Sequence, residues 1–371
     1  MTTPANYGTI LYKTIVLGEQ PVRKKNILIY KRTYKHNYGD PIIADCCGYL
    51  IQTAAEKHNL PVKISMANVF CRLSFLNRLR LRHTDIIVYP GGGLNSVPFN
   101  EMLLKLLHHA EAYPSIEIYI HAIGINRKKV KKRNVRLLKE MFRLPQVKQV
   151  TTRGDIGKLE KYMKTPKPYP PALVFDPAVW VNEAYGIERD PNSDVIGIGL
   201  IRPEIFSERS TGISEKQVKQ MYKDIVGELE TRGFRWQFFT NGLYGEYRFG
   251  VRLLKEMGRS RREYIGHHIF SAKKLVKKIA GYRAVIAARM HANIIATSLN
   301  IPSVGLVWND KMNLFAEIIG CQDRYIAQEH LTDAGYIADR MESAIREGYD
   351  QKRIHAMKQK TMETIQNIIL D

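Results

Sequence analysis

Short apolar runs of four to six residues alternate with longer amphipathic stretches along most of this chain, and that alternation restricts its fold more than any other feature. In the first half, residues 26–30, 62–65, 85–89, 116–121, 149–152 and 172–175 read as strands, with helical patterns between most of them. A strand buried on both faces of a parallel sheet has no polar side, so it appears as a continuous apolar run, and the intervening helices return the chain for the next strand. A proline-rich and polar passage, residues 165–171 and then 188–193, precedes a second series of strands at 195–200, 236–240, 285–288 and 303–307. With 371 residues, the chain is also longer than one ordinary core sustains. The pattern predicts an α/β protein of two Rossmann-like domains, residues 1–183 and 192–333, facing a cleft. A helical tail, residues 334–371, has the spacing to cross back to the first domain.

Charge says what the cleft receives. There are 57 Lys and Arg against 36 Asp and Glu, a formal net charge of +21, which calls for an anionic partner. The cations fall in several clusters: Arg23-Lys24-Lys25; Arg78, Arg80 and Arg82; Arg127-Lys128-Lys129 with Lys131-Lys132-Arg133; Arg259, Arg261 and Arg262; and Lys273, Lys274, Lys277 and Lys278. No zinc-finger spacing and no aromatic-basic motif of an RNA-binding sheet accompanies them, so the reading excludes nucleic acid. Scattered cations suit the negative cytoplasmic leaflet of a membrane, as a peripheral contact, or simply solvated helix faces. Cys46, Cys47, Cys71 and Cys321 lack metal-ligand spacing and read as reduced thiols. The first residues carry no signal-peptide pattern, and charges interrupt every long apolar stretch. A cytoplasmic protein is expected.

The densest chemistry lies at Arg289-Met290-His291. An apolar strand ends just before it and a helical spacing begins just after, so a guanidinium and an imidazole fall at the carboxyl end of a strand. Ligands of open α/β sheets bind there, where a new helix also offers free N–H groups to an anion. A turn at Asn300-Ile301-Pro302 feeds the next strand, and Asn309-Asp310-Lys311 brings a further cation to the same edge. An ordinary ion pair for Arg289 and a packing role for His291 are the alternative.

Three loops of the first half are also candidates. In Asn37-Tyr38-Gly39-Asp40, Gly39 permits a tight turn and Asp40 can cap the helix that follows. Gly91-Gly92-Gly93 can bring backbone N–H groups close to an anion, although a flexible turn is the commoner explanation of such a run, and it is neither a Walker loop nor a dinucleotide fingerprint. Arg153, in Thr151-Thr152-Arg153-Gly154-Asp155, ends one strand, and Asp176-Pro177 ends the next.

In this order, and together with Gly197-Ile198-Gly199-Leu200-Ile201-Arg202, these segments resemble the polysaccharide pyruvyltransferase family from about residue 26 to about residue 320. Two departures are mild: Thr stands for Ser at 151, and Gly154 intervenes before Asp155. The resemblance implies a GT-B-like fold. It also implies phosphoenolpyruvate as donor substrate, no cofactor or metal, and transfer of pyruvate as a ketal to a sugar of a cell-surface polysaccharide precursor, lipid-linked or nucleotide-activated. The first domain would be the acceptor side and the second the donor side. By the family's pattern Arg289, Arg202 and Lys311 would bind the donor and His291 would act as general acid, an imidazole having an ordinary pKa near 6.5. Asn37, Gly39, Asp40, the glycine triplet and Arg153 would shape the remaining substrate contacts. Two rivals stand beside this reading, a GT-B glycosyltransferase using a nucleotide sugar and a non-catalytic sugar-phosphate binder.

Overall fold

The computed structural model describes residues 23–31, 37–68, 75–93, 97–125, 132–208 and 212–370. Cys71 and the basic residues Arg127, Lys128, Lys129 and Lys131 lie outside them. Two parallel sheets carry the fold. The first holds β1 (Lys25–Lys31), β2 (Val62–Asn68), β3 (Ile86–Pro90), β4 (Glu117–Ile123), β5 (Val147–Thr152) and β6 (Ala172–Leu173) in the order β2-β1-β3-β4-β5-β6. The second holds β7 (Val195–Gly199), β8 (Arg235–Phe239), β9 (Ala284–Ala287), β10 (Ser303–Leu306) and β11 (Tyr325–Ile326) in the order β11-β10-β9-β7-β8. Every pairing in both sheets is parallel. All ten predicted strands are therefore present within a few residues of their expected bounds. Two details differ. The sixth strand closes after Leu173, because the Phe175 N–H turns to the Thr361 hydroxyl at 2.9 Å instead of a strand partner. The two-residue β11 is too short to leave a pattern in the sequence.

Strand β7, which lies between β9 and β8 in the second sheet, is closely crowded. A Cβ at Gly197 would overlap the Tyr282 ring, and one at Gly199 would lie 2.7 Å from the Ala287 Cβ and 2.9 Å from Phe239. The glycines of this Gly-x-Gly thus let neighbouring side chains lie flat on β7; they form no loop around a phosphate. Along the chain between β6 and β7 come a short 3-10 turn (Pro177–Trp180) and a helix (Val181–Tyr185), most of which precede the polar stretch expected to join the two halves. One apolar core runs through both halves, joining Ile43, Val179, Ile294 and Ile365. The helix Gln351–Leu370 returns to the first sheet, where Lys25 donates to the Ile369 carbonyl (3.1 Å) and Tyr119 to that of Asn367 (3.2 Å). Cys46, Cys47 and Cys321 are free thiols buried in apolar surroundings, and burial pushes their pKa values up. No described helix is long and apolar enough to cross a membrane.

Candidate active site

Because all strands of a sheet run the same way, the residues that follow them gather at one edge. At the second sheet these are Arg202 after β7, Asn241 after β8, Arg289 after β9 and Lys311 after β10. Arg289 sits in extended conformation (φ −86°, ψ 121°) just before the helix Met290–Ser298, and His291 lies in its first turn. Asn293 fixes this corner: its amide donates to the carbonyls of Ala287 (3.0 Å) and Arg289 (3.1 Å). Trp308 closes it from the next strand with a 2.7 Å bond from its indole N–H to the Ala288 carbonyl.

Arg289 and His291 point to different partners. The Arg289 side chain, 15% exposed, donates from Nε to Oε1 of Glu246 at 3.0 Å, and its Nη2 pairs with the same oxygen. Glu246 belongs to the first turn of the helix Tyr244–Glu256 and is fully buried. Burial pushes its carboxyl up from the usual range, against the opposing charges of Arg289 and Arg202. Two donors of a rigid planar fork are thereby fixed, and the rest of the guanidinium is aimed. Arg202 itself is exposed, and its Cδ would lie 3.3 Å from a Cβ at Gly245, so this glycine lets the arginine lie against the start of that helix. Lys311 stands beside Trp308, its Nζ 5.3 Å from the ring centroid.

His291 looks across to the first half. Its Nε2 is 3.8 Å from Oδ2 of Asp176, a carboxylate that is 1% exposed. That same oxygen forms an ion pair with Arg153, and the other, Oδ1, accepts the Ala178 N–H at 2.9 Å. One buried carboxylate is thus shared by a guanidinium from its own half and an imidazole from the other. Gly39 closes the arrangement, since a Cβ there would overlap the His291 ring. A further interdomain bond runs from the Tyr38 N–H to the Asn241 carbonyl, 3.1 Å.

The first-half loops behave partly as expected. Asp40 does not cap its helix: the helix Gly39–Lys57 starts one residue earlier, with Tyr38 at the cap position, and Asp40 lies inside the first turn. A carboxylate there still favours the positive end of the helix dipole. Asp40 faces a narrow recess with Lys31, Gly91 and Gly92, while Asn37 is half-buried just before the helix. Gly91 and Gly92 adopt φ of 80° and 112°, conformations that suit glycine alone. Their turn is pinned by backbone bonds, Gly91 N–H to His121 (2.6 Å) and Gly124 N–H to the Gly92 carbonyl (2.7 Å), so the Gly91 donor is already committed to the fold. Gly93 bridges to Gly124. The structure therefore gathers His291, Gly39 and Arg153 around Asp176, sets Arg289 with Glu246 on the edge that also carries Arg202 and Lys311, and places Gly92 and Gly93 against Gly124, which Arg153 flanks as well.

Two anchoring carboxylates were not among the candidate residues. Asp176 enters the sequence reading as a strand-ending residue and as part of the family resemblance, with no role attached to it. Glu246 leaves a clearer trace, since it occupies the stripe of Gly250 and Leu253, where helical spacing expects an apolar side chain.

A family model described as polysaccharide pyruvyl transferase matches residues 15–310, well over half the chain. Comparison with curated proteins finds no match. Among solved structures, the chain is similar to UDP-GlcNAc 2-epimerase from Neisseria meningitidis, determined bound to UDP-GlcNAc. That similarity has a TM-score of 0.59 and 9% identity, covering 94% of this chain and 100% of the other. It is also similar to the Methanocaldococcus jannaschii UDP-GlcNAc 2-epimerase, at TM-score 0.51 and 12% identity over 89% and 94% of the two chains. At such identity the likeness is one of fold, and it is GT-B-like.

Proposed function

Since this chain belongs to the polysaccharide pyruvyl transferase family, we propose that it moves pyruvate from phosphoenolpyruvate onto two hydroxyls of a sugar in a polysaccharide precursor. The observation that carries the reading is the divergence of Arg289 and His291 from one strand end, Arg289 bonded to the buried Glu246 and His291 facing the buried Asp176 of the other half at 3.8 Å. A group that only neutralised charge would need no imidazole beside it.

In the proposed reaction Arg289, with Arg202 and Lys311, holds the carboxylate and phosphate of the donor through charge-assisted bonds. His291 gives a proton to the methylene carbon, and C2 becomes an oxocarbenium-like centre. A sugar hydroxyl attacks C2, the C2–O bond to phosphate breaks, and the second hydroxyl closes the ketal. Of the two hydroxyl protons released, one restores His291 and the other leaves with phosphate. Asp176 is a positioning residue, keeping the imidazole oriented toward the cleft, and Arg153 holds Asp176 in turn. The net charge of +21 supports work at the anionic inner face of a membrane on a carrier-linked, pyrophosphate-bearing acceptor, a contact that salt would weaken.

Calorimetric titration with phosphoenolpyruvate, beside a panel of nucleotide sugars, tests the donor. Saturable binding lost in Arg289→Ala is expected. His291→Asn should keep part of the binding while turnover collapses. Binding of a nucleotide sugar with silence toward phosphoenolpyruvate would replace this reading with a glycosyltransferase.

A further inference from the structure

A cavity of about 490 Å³ opens where the two halves and the final helix meet. Asp155 and Leu173 line it from the first half, Leu314 and Glu317 from the second, and Arg353 and Ala356 from the helix Gln351–Leu370. Both walls lead back to the site described above. On the first, Leu173 ends β6 beside Thr152, the last residue of β5, and Asp155 lies two positions beyond Arg153. On the second, the helix Asp310–Ile319 carries Lys311 in its first turn, and Leu314 and Ile318 follow at three and seven positions, the spacing of one helix face.

The sign of the charge in this lining decides what fits. In a chain of net charge +21, the cavity carries two half-buried carboxylates, Asp155 and Glu317, against a single guanidinium. That guanidinium is committed to the fold: Arg353 donates from Nε to the Ile318 carbonyl at 2.8 Å and from Nη2 to the Glu317 carbonyl at 2.6 Å, completing the end of the helix Asp310–Ile319. Asp155 is held by one oxygen, Oδ1, which accepts the Lys158 N–H at 3.0 Å; its Oδ2 takes no hydrogen bond from the described residues. Phosphate, pyrophosphate and carboxylate groups, which the Arg202, Arg289 and Lys311 edge attracts, are repelled here. An acyl chain would set hydrocarbon against both carboxylates. An uncharged polyol answers the lining instead, with O–H donors for the carboxylate oxygens and C–H faces for Leu173, Leu314, Ile318 and Met357.

We propose that this cavity holds an uncharged sugar ring of the acceptor, adjoining the ring that receives pyruvate. The assignment rests on the transferase reading above. It sets that ring between the halves, where the sequence suggested the first half alone, with Asp155 accepting its hydroxyls on one wall and Glu317 on the other. A ligand bonded to both walls favours the relative setting of the halves in which His291 faces Asp176, because only that setting lets it reach both carboxylates at once.

Saturation-transfer NMR on the full chain with methyl galactoside, methyl mannoside and methyl glucoside, and with octanol as a separate arm, tests the cavity. Ring-proton signals from at least one glycoside are expected in the wild type. They should be lost in Ala356→Trp, which fills the cavity, and retained in Ala356→Ser. Asp155→Asn, which keeps the helix cap, and Glu317→Gln should each weaken them about tenfold. Ala356 is exposed, so unchanged thermal midpoints will show that both of its variants fold. Phosphoenolpyruvate binding, measured in parallel, should be the same in all of them; its absence even in the wild type would defeat the donor assignment and leave the glycoside arm to judge whether the cavity takes a sugar. No glycoside signal in the wild type, or signals that Ala356→Trp or the carboxylate variants leave unchanged, overturns the proposal. So does a loss in Ala356→Trp confined to octanol.

Discussion

Gly39 shows how a single missing methyl group can set the position of an imidazole. The loop containing it was legible as a tight turn, but the reason for glycine was not: the backbone φ is not the constraint, and the neighbour that demands the space, His291, lies 252 positions away in the chain. Gly39→Ala should displace the imidazole from Asp176 while leaving the sheets intact. Because displacements near 1 Å can cost about a hundredfold in rate, we expect turnover to fall by roughly that factor with phosphoenolpyruvate affinity little changed. Equal turnover in the variant would show that the ring has room to spare. Asp176 makes the complementary case. Asp176→Ala leaves the Arg153 guanidinium, only 9% exposed, without its counter-charge, and breaking a buried pair from one side costs about 3–5 kcal/mol. Urea denaturation should show a loss in that range, smaller in Asp176→Asn, which keeps a hydrogen-bond acceptor.

Helices and strands differ in how much of their purpose the sequence displays. Strands such as β3, whose residues are all buried, announce themselves as apolar runs because both faces are covered. The corner after β9 was equally plain, for the change from a short apolar run to helical spacing locates Arg289 and His291 at a strand end without further help. Partners on other elements are a different matter. That Glu246 meets Arg289 follows from the strand order of the second sheet, and that Asp176 meets His291 from how the two halves are set against each other; no local spacing encodes either. The same holds for the final helix, Gln351–Leu370, whose crossing was expected but whose attachment was not. Its Thr361 hydroxyl accepts the Phe175 N–H at 2.9 Å and donates to the Met357 carbonyl at 2.7 Å, wholly buried. Thr361→Val keeps the shape and removes the acceptor, leaving a buried N–H unsatisfied, which costs about 1–3 kcal/mol. The urea midpoint should fall accordingly, and an unchanged midpoint would mean that this helix is not what closes the end of β6.

At the scale of the whole molecule, two buried histidines tie the stability of the fold to pH. His121 lies in β4 with Nδ1 3.2 Å from the Thr151 hydroxyl, and its carbonyl pins Gly91. His109 sits 3.1 Å from the Tyr30 hydroxyl, fully buried. Burial lowers their pKa values from 6.5 to about 3 and about 4, with Lys105 and His108 adding to the effect at His109. Both are therefore neutral in the folded protein under conditions where the unfolded chain takes up a proton at each. The sign follows directly. The folded-state values are depressed, so the stability is complete above pH 6.5 and is lost as the pH falls from there toward 4 and then 3. Each histidine contributes a slope of about 1.4 kcal/mol per pH unit while it is protonated only in the unfolded state. Urea denaturation at pH 7, 6 and 5 should show the loss beginning below 6.5, before most carboxylates titrate. His109→Gln can keep a hydrogen bond to Tyr30 and does not titrate, so it should reduce the slope between pH 6 and 5 by about one histidine's share. Parallel curves for wild type and variant would mean that His109 takes up its proton without unfolding. The interior beneath β1 would then be wetter than its full burial implies, and the acid sensitivity of the fold would rest on His121 alone.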